Sequence, residues 1–223
     1  LRDLGLHSHD EPFQRLLCQG MVNAPTPFCE ACNTTLHVEH RETGVCPHCG
    51  GPLGERSAKM SKSEGNTINP TPMVEKYGAD TVRLFMLFAA NPTAGMDRSD
   101  TAVEPNFRQL NPIWALPAQV SGWYDVASPV DDWLAARFRQ RQREWMAAME
   151  DVELRVAVRI SHYEFNTDLQ WYRRRGGSNK ELVTGLLREL APMLHPATPH
   201  IAEELWEETG GEGLLAAHLI GEM

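Results

Sequence analysis

The sequence predicts a mainly α-helical protein, in which a cysteine-rich module and a glycine-bounded loop precede an antiparallel helical bundle. Three observations carry this prediction. Four of the five cysteines fall into two C-x-x-C pairs within residues 28–50, and a short basic segment lies between Gly54 and Gly65. From Asp131 onward, apolar residues recur with the period of an α-helix.

Length and charge indicate a soluble protein with two modest domains. The chain has 223 residues and a formal net charge of -9, so it is not uniformly basic and any contact with nucleic acid must be local. It contains no apolar run of the roughly 18 residues that a membrane helix needs and no signal peptide, so we expect a cytoplasmic protein without a membrane partner. It begins with Leu1 in what reads as the middle of a domain, so we expect it to lack its start.

The two cysteine pairs have the spacing of a zinc ribbon. Thirteen residues separate Cys29-x-x-Cys32 from Cys46-x-x-Cys49, and each pair offers two thiolates to one tetrahedral ion. Four thiolates leave no open coordination position, which predicts structural Zn²⁺ rather than a catalytic metal. The alternatives are reduced cysteines, adventitious disulfides, or a site in which a nearby histidine replaces one cysteine.

The segment that follows the cysteines predicts a phosphate-binding loop over residues 54–70. Lys59 and Lys62 are three residues apart, so both ammonium groups could reach one polyphosphate, and the small serines between them let the backbone approach it. The alternative is a solvated lysine pair on a surface turn.

Proline and capping patterns predict where the regular elements begin and end. Pro25 and Pro27 predict a break before the cysteine module, and a helix is expected to begin at Asp80 with that side chain as its own cap. Pro105 and Pro112 are expected to interrupt the next helix.

The bundle is predicted to contain four helices from Asp131 to the C-terminus. The third is expected to begin with a capping box formed by Ser178 and Glu181, and the last at Thr198. Apolar stripes define the four faces: Leu134, Phe138, Trp145 and Met149; Leu154, Val158, Phe165, Leu169 and Tyr172; Leu182, Leu186, Leu190 and Leu194; Ile201, Leu205 and Trp206.

Basic residues concentrate on this bundle, because residues 133–180 contain ten Lys or Arg against six Asp or Glu. Guanidinium groups match phosphates, which favours a nucleic-acid backbone as the partner. The alternative is a solvated helix face. The predicted contacts are Arg137, Arg141, Arg173, Arg174 and Arg175.

Three stretches give the chain a family resemblance. The pentapeptide Lys59-Met60-Ser61-Lys62-Ser63, followed by Gly65-Asn66 and by Tyr77-Gly78-Ala79-Asp80-Thr81-Val82-Arg83, resembles the KMSKS region of class I aminoacyl-tRNA synthetases. Residues 84–90 are similar to the leucine enzyme, and residues 199–206 resemble its anticodon-binding domain.

The resemblance implies a domain organisation and a function. Residues 1–92 would be a remnant of the class I catalytic core, with the zinc ribbon (28–50) and the KMSKS loop (54–70). Residues 93–130 would connect it to an anticodon-binding-type bundle at 131–223. Lys59, Met60, Ser61, Lys62 and Ser63 would bind ATP with Mg²⁺, and Lys59 and Lys62 would be catalytic by stabilising the departing pyrophosphate. Leucine and tRNA(Leu) would be the other partners.

Several features depart from the family pattern. No HIGH motif occurs, so we expect the chain to be inactive by itself and to need the HIGH half, possibly from a second chain. Glu64 stands where a basic residue is common, and Pro105 and Pro112 fall in a segment that is helical in relatives. These departures favour the alternative of a non-catalytic paralogue that binds tRNA or a synthetase.

Overall fold

The computed structural model describes residues 2–10, 13, 15–18, 20–67, 69–89, 94–97 and 103–221. The protein is mainly helical, which confirms the predicted class. No helix in the described ranges is long and apolar enough to cross a membrane.

Four strands form one sheet: β1 (Val22–Cys29), β2 (Thr34–Thr35), β3 (Gly54–Lys59) and β4 (Met96–Asp97). The α-helices are α1 (Thr71–Tyr77), α2 (Ala79–Ala89), α3 (Val103–Ser121), α4 (Asp131–Glu150), α5 (Leu154–Arg159), α6 (Phe165–Arg174), α7 (Lys180–Leu194), α8 (Pro199–Glu208) and α9 (Leu215–Gly221).

Strand β1 is the centre of the sheet and corrects the predicted break at Pro25 and Pro27. It pairs antiparallel with β3 on one edge, and with β2 (antiparallel) and β4 (parallel) at the two ends of the other edge. The carbonyls of Pro25 and Pro27 accept hydrogen bonds from Arg41 and from the Leu36 amide, not from β3. The missing N–H groups of both prolines lie on this second edge and not on the edge that faces β3, so the β3 ladder stays intact.

Strand β3 also corrects the predicted loop at residues 54–70. Residues 54–59 pair with β1 in a continuous register from Asn23↔Lys59 to Phe28↔Gly54. A turn of 3-10 helix follows at Lys62–Glu64, and α1 begins at Thr71. Within residues 54–70, the described irregular residues therefore lie between the end of β3 and the start of α1, on either side of the 3-10 turn.

One hydrophobic core runs through the helical body and extends beyond the predicted bundle. Leu84 from α2 and four α3 residues, Leu110, Ile113, Leu116 and Val120, are buried in the same cluster as the side chains of α4 to α8. Helix α3 is continuous through Pro112, so the expected interruption is wrong. Pro105 lies in the first turn of α3, where amides have no helical partner, and burial of the four apolar residues offsets the cost of Pro112. The predicted boundary at residue 92 lies outside the described residues.

Two helix caps differ from the sequence predictions. Asp80 does not cap α2: its Oδ2 accepts a hydrogen bond from the Ile201 amide at 2.8 Å, and its Oδ1 contacts His200 Nδ1 at 2.8 Å, both at the start of α8. Helix α8 does begin after Thr198, as predicted. Helix α7 is capped by Asn179, whose side chain accepts from the Leu182 amide, rather than by the predicted box at Ser178.

A turn of π-helix at Ile160–Glu164 separates α5 from α6 and carries a buried histidine. The His162 side chain is fully enclosed, with Nδ1 2.8 Å from Ser161 Oγ and Nε2 3.0 Å from Thr198 Oγ1. Burial lowers the pKa of His162 to about 4, so the imidazole is neutral at pH 7. The two hydroxyls satisfy both ring nitrogens.

The enclosed histidine predicts a loss of stability in mild acid. Because the pKa of His162 is about 4 in the folded state and 6.5 in the unfolded reference, the unfolded chain binds more protons between these values. As the pH is lowered through this window, the free energy of unfolding should therefore decrease. The contribution of His162 to this decrease is about 2 kcal/mol between pH 7 and pH 5. Urea unfolding at both pH values measures the loss. His162→Gln, which cannot titrate, should lose about 2 kcal/mol less over the same interval.

Candidate functional site

The Lys59–Ser63 segment lies at the end of β3 and presents both lysines to solvent. Lys59 is the last residue of the strand, and Lys62 opens the 3-10 turn that ends in Gly65. Both side chains are exposed, and neither forms an ion pair with any described residue. The structure thus places two exposed ammonium groups, without an ion-pair partner among the described residues, at the end of β3 and on the turn that follows it.

Backbone hydrogen bonds and a buried amide hold this turn in shape. The Ser61 side chain accepts a hydrogen bond from the Ser63 amide at 3.2 Å, and the Met60 amide donates to the Val22 carbonyl at 3.0 Å. Asn66 is buried, and its Oδ1 accepts from the Ser61 amide at 2.7 Å.

Asn66 is a site residue to which the sequence analysis assigned no role. Its Nδ2 donates to Thr26 Oγ1 at 2.8 Å and to the Lys59 carbonyl at 3.2 Å. One side-chain amide therefore holds the strand end of the lysine segment, at Lys59 and Ser61, to the middle of β1. An asparagine directly after a turn glycine was the available signal, since asparagine often bonds to nearby backbone groups.

The four predicted metal ligands lie together. The sulfurs of Cys29, Cys32, Cys46 and Cys49 are all within 4.8 Å of one another, with Cys29 to Cys49 at 3.5 Å and Cys32 to Cys46 at 3.9 Å. Tetrahedral zinc with Zn–S bonds of about 2.3 Å would separate its sulfurs by about 3.8 Å. The cluster therefore has the dimensions of a four-thiolate metal site.

Protonation of the cysteine cluster is uneven. Burial raises the pKa of Cys46, but backbone hydrogen bonds at His48 and Cys49 outweigh burial and lower this pKa to about 6. Contacts with Cys49 and Cys29 raise the pKa of Cys32 to about 12. Sulfurs this close repel one another as thiolates, so a cation between them is what allows all four to lose their protons.

Two of the five predicted phosphate-binding arginines belong to an internal ion-pair network. Arg141 is 13% exposed; its Nε lies 3.0 Å from Asp168 Oδ2, and its Nη1 contacts Glu164 and, at 3.1 Å, Glu144. Arg137 Nε is 3.3 Å from the same Asp168 oxygen. The network joins α4 to α6 and to the π-helical turn. This geometry argues against the predicted phosphate contact by Arg141.

The other three arginines lie at the end of α6 and are exposed. Arg173 stacks 4.0 Å above the Trp123 ring, and Arg175 stacks 3.7 Å above Trp171. Arg174 lies between them and forms no ion pair with any described residue. A groove of about 650 Å³ beside them is lined by Trp123, Arg173, Arg174 and residues of α3 and α6. Stacking orients two guanidinium groups without neutralising them, so this patch keeps its positive charge.

Two family models match the chain. "Anticodon-binding domain of tRNA ligase" covers residues 131–219, and "tRNA synthetases class I (I, L, M and V)" covers residues 53–98. Together they include the helical body from α4 onward and the lysine segment with α1 and α2.

Curated relatives match almost the whole chain. The leucine–tRNA ligase of Synechococcus elongatus is 34% identical over 99% of this chain, and that of Synechococcus sp. strain JA-3-3Ab is 33% identical over 95%. The chain belongs to the leucyl-tRNA synthetase family. It spans 26% and 27% of the length of these two ligases, so it corresponds to about a quarter of such an enzyme.

Solved structures agree with the family assignment. The Agrobacterium radiobacter K84 agnB2 LeuRS, in a ternary complex with tRNA and LeuAMS, is 26% identical and superimposes with a TM-score of 0.68 over 97% of this chain. The chain covers 25% of that synthetase. Methionyl-tRNA synthetase of Mycobacterium tuberculosis shares the fold over 71% of the chain, with a TM-score of 0.51 and 19% identity.

Proposed function

We propose that this chain is the C-terminal segment of a leucine–tRNA ligase and contributes the KMSKS lysines to leucyl-adenylate formation. The observation that carries this proposal is a pair of exposed lysines, without an ion-pair partner in the described part of the chain, next to a turn that Asn66 anchors to β1. Charge that builds up on a departing pyrophosphate is stabilised most by cations that are already in position. Met60, Ser61 and Ser63 would line the same ATP–Mg²⁺ site. The remaining active-site groups, including the HIGH motif, would come from outside this chain.

Zinc in the cysteine cluster would have a structural role. Cys29, Cys32, Cys46 and Cys49 fill all four positions of a tetrahedral ion, so no position is left for water or substrate. When bound, the ion would hold together a module whose buried apolar cluster consists of only Cys29, Leu36 and Cys46.

Replacing the lysine pair tests the nucleotide role. In the enzyme that contains this chain, Lys59→Ala or Lys62→Ala should each reduce leucine-dependent ATP–pyrophosphate exchange by about 10²–10³, because a preorganised charge at the leaving group is lost. Lys76→Ala, an exposed lysine on α1, is the matched control and should keep normal exchange. Normal exchange after both Lys59 and Lys62 are changed would remove the basis of the proposal. The isolated chain should show no exchange.

The arginine patch on α6 is proposed to contact the backbone of tRNA(Leu). Arg174→Ala removes one free charge and no internal ion pair in the described structure, so it should weaken binding without unfolding the bundle. Filter binding of tRNA to the chain across a salt series should show a slope smaller by about 0.7–0.9 for the lost phosphate contact. Arg108→Ala on α3, exposed and outside the patch, should leave the slope unchanged.

The lysine variants, and not tRNA binding, separate the proposal from the alternative function. A non-catalytic paralogue would keep salt-dependent tRNA binding, whereas the lysine variants would then have no effect on any charging reaction. The open approach to both lysines favours the catalytic assignment, because no described carboxylate neutralises them. Affinity for tRNA that does not depend on salt would rule out the α6 arginines as the contact.

A further inference from the structure

The turn that contains Lys62 is attached to the cysteine module by two contacts. Thr35 Oγ1 donates a hydrogen bond to Glu64 Oε1 at 2.9 Å, across 29 residues of sequence. The adjacent Gly65 packs against the His37 ring, and a Cβ at this position would lie 2.3 Å from His37 Nε2. Gly65 also has a φ of 67°, so both its conformation and the space around it exclude a side chain.

On the module side, Thr35 is next to the metal cluster. Strand β2 pairs with the end of β1, with Cys29 opposite Thr34 and Phe28 opposite Thr35. The next residue, Leu36, is buried together with Cys29 and Cys46. The position of the Thr35 hydroxyl therefore depends on the same short elements that the cysteines hold together.

On the segment side, Glu64 belongs to the same 3-10 turn as Lys62. The turn closes with a hydrogen bond from the Gly65 amide to the Lys62 carbonyl at 3.2 Å. A restraint on Glu64 is consequently a restraint on the backbone that carries Lys62. Asn66 anchors the strand end of the segment, whereas Glu64 anchors the turn.

The contact with Thr35 leaves the second carboxylate oxygen of Glu64 in an unfavourable environment. Glu64 Oε2 is buried and has no hydrogen-bond partner among the described residues. An unsatisfied carboxylate oxygen is normally released to water unless its surroundings hold it in place. The Thr35 hydroxyl and the packing of Gly65 against His37 supply that constraint. The contact therefore exists only while the module is ordered.

We propose that Glu64 is a positioning residue that couples the lysine turn to the cysteine module through Thr35. Order in the module, supplied by the metal, restrains the backbone of Lys62, and the restraint acts back on the module. The proposal rests on the proposed function for its role in nucleotide binding. In this proposal, the hydrogen bond from Thr35 directs the Glu64 carboxylate to β2, where it holds the turn against the cysteine module.

Hydrogen exchange of the zinc-loaded chain, read by mass spectrometry with no nucleotide present, tests the coupling. In the wild type, chelation of zinc should speed amide exchange in residues 59–67 about tenfold, equivalent to about 1.4 kcal/mol. In Glu64→Ala and Thr35→Val, exchange in this peptide should already be about tenfold faster with zinc bound, and chelation should add less than about twofold. Glu64→Gln keeps the carbonyl acceptor and should resemble the wild type.

Internal references make the outcome decisive. Exchange in residues 54–58 should stay slow in zinc-loaded Glu64→Ala, because β3 is paired with β1 independently of Glu64. Glu75→Gln, an exposed change on α1, should behave as the wild type. Exchange in residues 59–67 that ignores chelation, or that is unaltered in Glu64→Ala and Thr35→Val, would overturn the proposal. Because no nucleotide is used, this result is independent of whether the lysines bind ATP.

Discussion

Chelation of zinc is expected to unfold the zinc ribbon (28–50) while the helical body keeps its cooperative melting transition. The module buries only Cys29, Leu36 and Cys46 as its own apolar cluster, which is far too little to offset the conformational entropy of ordering it. Zinc contributes about 10–16 kcal/mol in isolated zinc-finger peptides, the largest single effect expected in this protein. Zinc stoichiometry, hydrogen exchange of the module and melting at 222 nm together measure the outcome.

Two cysteine variants provide the comparison for this experiment. Cys46→Ser removes a ligand and should reproduce the chelated state, with less than one zinc per chain. Cys18→Ser changes the exposed cysteine outside the cluster and should bind one zinc normally. A module that stays protected from exchange after complete loss of zinc would refute the metal requirement.

Replacing Arg141 is expected to destabilise the helical body by about 3 kcal/mol, because Glu164 and Asp168 would lose their most buried cationic partner and keep only the more exposed Arg159 and Arg137. Their side chains are 17% and 12% exposed, so water screens them poorly. For a domain of this size the loss corresponds to a melting temperature lower by about 10 °C. Urea or thermal unfolding of Arg141→Ala provides the measurement.

The control for Arg141 lies two residues away on the same helix. Arg139 is exposed and, among the residues that the structure describes, bonds only to the Ala135 carbonyl of its own helix, so Arg139→Ala should change stability by less than about 0.5 kcal/mol. If Arg141→Ala instead kept full stability and lost tRNA affinity, the original sequence prediction would be correct and the internal network would be unimportant.

Local patterns predicted the helices and the metal ligands because the relevant information is contiguous. The apolar stripes of α4 and α7 follow from the 3.6-residue period, and Leu134, Phe138 and Leu190 are buried as that period requires. Two cysteine pairs must converge if they are to share one ion, so spacing alone predicted which four cysteines cluster. For the same reason the start of α8 at Thr198 and Pro199 was predictable.

Contacts between distant residues were not predictable from the sequence. Arg141 looks like any solvent-exposed arginine until the fold brings Glu164 and Asp168 beside it. Pro25 and Pro27 read as a chain break, yet the strand tolerates them because their missing donors face away from β3. The Glu64 contact with Thr35 depends on the return path of the cysteine module, which no local pattern encodes.

The bond between Asp80 and the start of α8 has a consequence for biosynthesis. The carboxylate of Asp80 is buried, and its donors at His200 and Ile201 are 120 residues further along the chain. A ribosome adding about 5–20 residues per second supplies those donors only after about 6–24 seconds. During that interval the Asp80 carboxylate stays hydrated, and the later helices that bury Leu84 are not yet there to cover the apolar face of the nascent α2.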